Sequence, residues 1–324
     1  MAPIFDHIDL ADIDLEDKRF IVTYQPELQM LEQSIARMGV LTPVHLRRPT
    51  TPGRLQLICG FKRLVACQNT AQRRVPALVH NADVLSTEQA FLLALHDNLG
   101  CRRFNAVEKG RLLKRLRDDY HYDLEVLAQH ICPLLQLPPR SSSVALYADL
   151  ATLDEPLKNA IVAENLSLET AVWIGHHTAT DRQVLLDLFA GLRLGRNRAR
   201  QFASMIEDIC RRDMCSVSEC FQSLGVDAVL EDPQPSGPQK IERLRQTLHR
   251  SRYPQFSAHE RQFHATLREL RLPSQVHLQP PPYFEGQSYR VSFAFNSRQE
   301  LQQVAQSLTN AAANDAVDDL LLLL

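Results

Sequence analysis

Ile58-Cys59-Gly60-Phe61-Lys62-Arg63-Leu64-Val65-Ala66 decides how the first third of the chain folds. Residues 55–59 alternate like a strand, Gly60 breaks it, and residues 62–68 read as the start of a helix. A glycine after a strand lets the backbone approach a ligand closely. The helix N-terminus behind it offers unpaired N–H groups and a partial positive charge, to which Lys62 and Arg63 add full charges. These parts suit a phosphate group. The same pattern also fits an ordinary solvated helix start.

Working outward, Leu28, Leu31, Ile35 and Met38 recur at helical spacing, and Gly39 follows as a helix stop. Val44-His45-Leu46-Arg47 alternates as a strand and Thr50-Thr51-Pro52-Gly53 carries turn residues, so a hairpin with 55–59 is expected. Pro76-Ala77-Leu78-Val79 reads as a third strand. Ser86 with Gln89 makes a capping box ahead of an apolar helix through Phe91, Leu92 and Leu95. The first hundred residues therefore read as a compact α/β module.

Beyond them comes helix after helix. Residues 108–120 are basic and amphipathic, with Leu112, Leu113 and Leu116 at core spacing. Leu124, Leu127, Ala128 and Ile131 mark a second face, Pro138-Pro139 breaks the chain, and Ser141, Ser142 and Ser143 offer N-caps for a helix carrying Val144 and Tyr147. Two short helices joined by a break suit a helix-turn-helix, whose second helix enters the major groove N-terminus first. An ordinary helical hairpin has the same look. Residues 192–212 read as a further basic helix pair. Glu231-Asp232-Pro233-Gln234-Pro235-Ser236-Gly237-Pro238 has linker composition, and a helical stretch, two strands at 276–278 and 289–295, and a helix capped by Ser297 and Glu300 follow. The tail from Asp315 is acidic and ends in five leucines, which predicts disorder or docking on a partner.

Composition narrows the classes. A chain of 324 residues, 44% hydrophobic and 23% charged, has room for about two domains with an appendage. No apolar run approaches the ~20 residues that span a bilayer, and Met1-Ala2-Pro3-Ile4-Phe5-Asp6 has neither the basic nor the apolar region of an export signal. Seven cysteines, an odd number, without Cys-x-x-Cys, predict reduced thiols and no structural zinc. Cys210, Cys215 and Cys220 are five apart, about 500° of helix turn, which predicts that they scatter over different faces. The net charge of −2 means that any polyanion surface must come from local clustering.

The order of these features resembles the ParB partition-protein family. Residues 31–47 resemble its box L-x-x-S-I-x-x-x-G-x-x-x-P-x-x-x-R, residues 58–66 its G-E-R-R-x-x-A segment, and Val75-Pro76 its Ile-Pro strand. Asp97-Asn98-Leu99 and Phe104-Asn105-Ala106-Val107-Glu108 are similar to E-N-x-x-R and L-N-P-x-E. Residues 153–171 resemble the stretch that follows the family's helix-turn-helix. The resemblance implies a first domain of the ParB/sulfiredoxin-like fold that binds CTP with magnesium. On the matched positions, Gly60, Lys62 and Arg63 would hold phosphates, with Ser34 and the Gly39–Pro43 turn lining the pocket and Asp97 and Asn98 near the metal. The departures bear on this. Phe61 stands at the glutamate of G-E-R-R, Lys62 at an arginine, and Cys101 at the arginine of E-N-x-x-R, with Arg102 and Arg103 beside it to take over. They argue against hydrolysis more than against binding. The sulfiredoxin chemistry fails at the same place, because Phe61 fills the catalytic cysteine's slot and Cys59 reads as a core cysteine.

The expected architecture is α+β. It comprises a ParB/sulfiredoxin-like domain (1–105), a helical helix-turn-helix domain (106–228), a linker (229–238), a C-terminal α+β dimerisation unit (239–310) and a tail (311–324). The resemblance implies a cytoplasmic, nucleoid-associated, DNA-binding homodimer acting as a CTP-dependent clamp in partition, at most a weak CTPase, with a partition ATPase as possible partner. Arg140, Ser141, Ser142, Ser143, Val144 and Tyr147 would face DNA. The alternatives are a ParB-like regulator or adaptor with a degenerate pocket, and a phosphotransferase on the same fold.

Overall fold

The alternating stretches of the first eighty residues pair into one five-stranded mixed sheet of order β1-β5-β3-β4-β2. Its strands are β1 (Ile4–Asp9), β2 (Ile13–Asp14), β3 (Val44–Arg48), β4 (Leu55–Cys59) and β5 (Arg74–Asn81). β3 and β4 form the expected antiparallel hairpin, with a register shift between His45 and Leu46. β5 runs parallel to β3, setting Leu46 opposite Val79, and antiparallel to β1, setting Ile4 opposite the same valine. β2 lies parallel to β4. The computed structural model describes residues 2–324.

Burial alternates along β5, whereas every residue of β4 is buried because both faces of the sheet are covered there. On one face, α1 (Gln29–Met38) and α2 (Phe61–Asn69) bury Ile35, Ala66 and Cys67 together, while Leu64 packs with Val44, Leu46 and Leu57. On the other, Ile58 and Cys59 lie under Phe91, Ala94 and Leu95 of α3 (Thr87–Cys101), whose Ser86/Gln89 capping box is present. That core continues through Leu112, Leu113 and Leu116 of α4 (Ala106–Asp118) to Leu127, Ile131 and Val144, so the sheet and the next helices share one apolar interior. α5 (Leu124–Val126), a π-helical turn (Leu127–Ile131) and α6 (Cys132–Leu134) form one bent segment before α7 (Ser141–Thr152). α4 and α7 cross closely at Gly110, where a Cβ would stand 2.4 Å from the Tyr147 carbonyl oxygen. α8 (Glu155–Val162), α9 (Leu168–Gly175) and α10 (Ala179–Gly191) complete this unit, Met1–Arg196.

The second unit, Asn197–Leu324, holds α11 (Arg196–Asp213, entering from the first unit), α12 (Val217–Leu224), α13 (Val226–Glu231), α14 (Gly237–Arg252) and α15 (Pro254–Glu269). A hairpin of β6 (Val276–Gln279) and β7 (Arg290–Phe293) follows, then α16 (Arg298–Ala312) and α17 (Ala316–Leu321). The chain is thus α+β, as expected.

Three expectations change here. The stretch read as a basic helix pair is the turn that follows α10 and one long helix, α11. The leucine tail is helical and partly buried, with Leu321 and Leu322 left 55% and 81% exposed. It forms α17, whose Leu320 is buried with Leu323, Phe263 and Phe284, and Tyr289 Oη donates to the Leu320 carbonyl at 2.8 Å. The three cysteines do not scatter, because α11 ends at Asp213 and a helical wheel no longer applies beyond it. No helix among the described residues is long and apolar enough to cross a membrane.

Candidate nucleotide pocket and nucleic-acid interface

Gly60 is the N-cap of α2 and has φ +104°, in the left-handed region. A Cβ there would sit 2.6 Å from Val44 Cγ1, so both the conformation and the space require glycine. Gly60→Ala is expected to cost about 2 kcal/mol, read from urea denaturation of the full chain. A loss under about 0.5 kcal/mol would show that the turn tolerates a side chain.

The turn opens onto a cavity of ≈ 440 Å³ lined by Gly60, Phe61, Lys62 and Arg63, by Thr42, by Thr23 and its neighbours, and by Asp97, Asn98, Cys101 and Arg102 from α3 and its end. The sequence-derived phosphate and metal residues therefore converge from β4, α2 and α3. Their side chains differ in how far they are already engaged. Arg63 Nη1 donates to the carbonyls of Thr42 (2.7 Å) and Pro43 (2.6 Å), pinning the turn after Gly39 to α2. Asn98 donates to the Ala94 carbonyl and accepts from Arg102 Nε, both at 2.7 Å. Lys62 has no ion-pair partner among the described residues and is the cation most available to a ligand. Burial first, then Asp97 beside it as charge and hydrogen-bond partner, pushes the Cys59 thiol far up, which keeps it protonated and inert.

The remaining residues lie elsewhere. Ser34 is exposed on α1 and does not line the cavity; Gly39 caps α1 at φ +71°, and Pro43 contributes through its carbonyl. Arg103 lines a second cavity of ≈ 320 Å³ with Lys109 and Gln136, and Arg102 borders both.

Arg102 is held by a residue that sequence reasoning quoted without a role. Its Nη1 donates to both carboxylate oxygens of Glu108 at 2.7 Å. Glu108 is 2% exposed and also accepts from the backbone N–H groups of Tyr24 (3.1 Å) and Asn105 (3.0 Å). The Tyr24 hydroxyl donates to Glu155 and lies against the Asn159 side chain, and burial with the Glu155 contact raises its pKa to about 12. No periodicity reveals partners 84 and 131 positions apart.

His45 and His80, on neighbouring strands, stack with Nδ1 of one 3.1 Å from Nε2 of the other. Burial lowers both pKa values below the ordinary 6.5; Asp97 opposes this at His45, while Arg63 and the partner imidazole reinforce it. The unfolded chain therefore takes up these protons first as pH falls. Their contribution to stability is fully present above pH 6.5 and is lost as pH drops through the lower folded values. Denaturation at pH 7.5 and 5.5 should show the loss, and His45→Gln/His80→Gln should flatten it. An unchanged slope in that double variant would refute the assignment.

At α7 the N-cap is Arg140, not a serine, and no side chain caps the helix. Ser141 Oγ donates to Glu125 at 2.8 Å. Val144 is fully buried and Tyr147 half-buried, whereas Arg140 and Ser142 are exposed. The exposed stripe along the helix is Ser142, Ala145, Asp149 and Thr152, which carries no cation. Only the N-terminal end, with Arg140 and the unpaired first-turn amides, has the chemistry to meet a phosphate.

Most of the cavity lining falls within a stretch that is similar to a known family. Residues 4–99 match the ParB N-terminal domain. Over those residues the chain is similar to ParB N-terminal domains. Within that stretch lie Gly60, Lys62, Arg63, Asp97 and Asn98; Arg102 and α7 fall outside the match. The probable chromosome-partitioning protein ParB of Neisseria meningitidis is 29% identical over 141 residues, 44% of this chain and 46% of that one. The nucleoid occlusion protein of Bacillus subtilis is 26% identical over 141 residues, 44% of this chain and 47% of that one. The match thus spans about half the length of these curated relatives. Among solved structures, the C-terminally truncated ParB from Caulobacter crescentus is similar in two complexes. With the centromeric parS site it is 17% identical, covering 61% of this chain and 98% of that one, at a TM-score of 0.37. With CTP-gamma-S it is 22% identical, covering 57% and 98%, at a TM-score of 0.27.

Proposed function

We propose that this chain is a ParB-like DNA-binding protein whose ParB N-terminal domain binds a nucleoside triphosphate, CTP by family resemblance, as a switch on DNA residence. The observation that carries the reading is the Gly60–Arg63 junction. There a glycine that tolerates no side chain, the start of α2 and the uncommitted Lys62 face one cavity. Backbone amides of the first turn of α2 and Lys62 would take phosphate oxygens, with Arg63 shaping the turn rather than meeting the ligand head-on. Magnesium fits only in part. Asp97 is the carboxylate on the cavity lining, and among the described residues no cluster of three His, Cys, Asp or Glu side chains is assembled. A magnesium ion would therefore be held mainly by phosphates and water, its usual preference, and would supply charge neutralisation.

In this reading residues 1–105 sense the nucleotide, residues 106–228 contact duplex DNA through Arg140 and Ser142, and residues 239–310 join two copies. A partition ATPase would be a partner of the assembled dimer on the nucleoid. Nucleotide and DNA each shift the balance between states only by their differential affinity for them.

Titration calorimetry of CTP with magnesium against ATP, GTP and UTP tests the pocket, with Lys62→Ala as the variant that removes a ligand contact and spares the turn. Selective CTP binding, weakened about tenfold or more by Lys62→Ala, is expected. Duplex binding should fall steeply with added salt. A second reading is favoured by Phe61 and Cys101 at motif positions and by the engagement of Arg102 with Glu108 and Asn98. It is a regulator or adaptor with a degenerate pocket. Failure of every nucleotide to bind would put it first.

A further inference from the structure

α11 ends in a way that gathers three thiols. After Asp213, Met214 adopts φ +53° and is 90% exposed, and the Cys215 N–H donates to the Cys210 carbonyl at 3.1 Å. This is a left-handed helix stop in which the second residue past the helix end folds back onto the last turn, bringing side chains five apart into contact. Cys210 and Cys215 occupy those two positions, and their thiols are hydrogen-bonded. The Ser216/Glu219 capping box then starts α12, whose Cys220 thiol is hydrogen-bonded to Cys210 from the buried side. Cys210 is thus the common neighbour of both others. Cys210 and Cys215 are half-exposed, and Cys220 is 1% exposed.

The geometry points to an oxidation site here: a peroxide converts the Cys210–Cys215 pair to a disulfide that staples the helix stop. The half-exposed Cys215 sulfur attacks one peroxide oxygen, giving a sulfenic acid and releasing one water from hydrogen peroxide. The Cys210 thiolate then attacks that sulfur, the S–S bond forms, the S–O bond breaks, and the leaving hydroxide takes a proton to become the second water. Two thiols supply two electrons to one peroxide. Burial and Cys210 push the Cys215 thiol up, while the Cys210 hydrogen bond, with Arg212 nearby, lowers Cys220, so exposure and not thiolate character selects Cys215 as the attacking thiol. Cys220 stands behind as a third thiol that can exchange into the bond.

The sequence makes the test direct, because Arg211 and Arg212 let trypsin separate Cys210 from the other two. The full chain is treated with hydrogen peroxide, alkylated, digested without reductant and mapped by mass spectrometry. The expected product links peptide 201–211 to peptide 213–240 through Cys215, with loss of two of the seven thiols and recovery on reduction. Cys210→Ser should abolish it, and Cys220→Ser should leave it. Oxidation of the exposed Cys101 while 201–211 stays unlinked would overturn the proposal. So would a bond confined to Cys215 and Cys220, or a link through Cys220 alone. The wild-type peptide map is decisive even if a variant folds poorly.

Discussion

Glu108→Ala should be the most damaging single substitution in the first unit, lowering stability by about 3–5 kcal/mol. The carboxylate is 2% exposed and takes both oxygens of contact from Arg102 while accepting from the amides of Tyr24 and Asn105. Alanine would leave the guanidinium without its counter-charge and two N–H groups without acceptors, and an unmade buried bond costs more than a made one gains. The Arg102 side chain is 19% exposed, so water recovers part of the loss. Arg102→Met together with Glu108→Leu should therefore cost clearly less than the sum of the single changes. Urea denaturation of the four proteins measures this, and additive losses would mean that the pair is not a unit. The charge pair joins the strand-to-helix segment at Tyr24 to the start of α4, so its loss should also loosen the cavity edge that Arg102 borders.

Gly110→Val should cost about 3 kcal/mol and displace α7. A Cβ at residue 110 would stand 2.4 Å from the Tyr147 carbonyl oxygen and 3.2 Å from Leu150 Cδ2, and the first of these is backbone, which cannot rotate away. Relief therefore requires the two helices to separate, which would open the shared core around Leu113 and Val144. Gly100→Ala is the matched control. It lies in α3 with nothing within 4 Å of the added atom, so helix propensity alone should stabilise the chain by up to about 1 kcal/mol. Thermal unfolding of both variants separates close packing from a general intolerance of change at helical glycines. If Gly110→Val melts like the parent, the tight crossing is refuted.

Much of the pocket was legible because its signals are local. Strand, glycine and helix follow one another at 55–69, and the Ser86/Gln89 box marks the start of α3 within four residues. Asp97 and Asn98 needed the family resemblance, since nothing in their own spacing points at a cavity formed with residue 60. β1 went unread because Ile4 and Phe5 are 60% and 56% exposed on an edge strand, which lacks the apolar contrast of a buried one. Val144 looked like a surface position at a helix start and is instead the last member of the large core.

Local sequence set the strand, glycine and helix at 55–69, the phosphate-suited turn at Gly60 and the capped starts at Ser86 and Ser297, because each depends on residues a few positions apart. Tertiary structure decided what those residues are free to do. It placed Arg102 on Glu108 and Asn98, spent Arg63 on the carbonyls of Thr42 and Pro43, and left Lys62 as the open cation. It turned the chain at Met214 so that Cys215 folds back on Cys210, and it buried Leu320 and Leu323 of the tail in its own unit. These outcomes rest on contacts between distant segments and on where a helix stops, and hydrophobic periodicity carries neither.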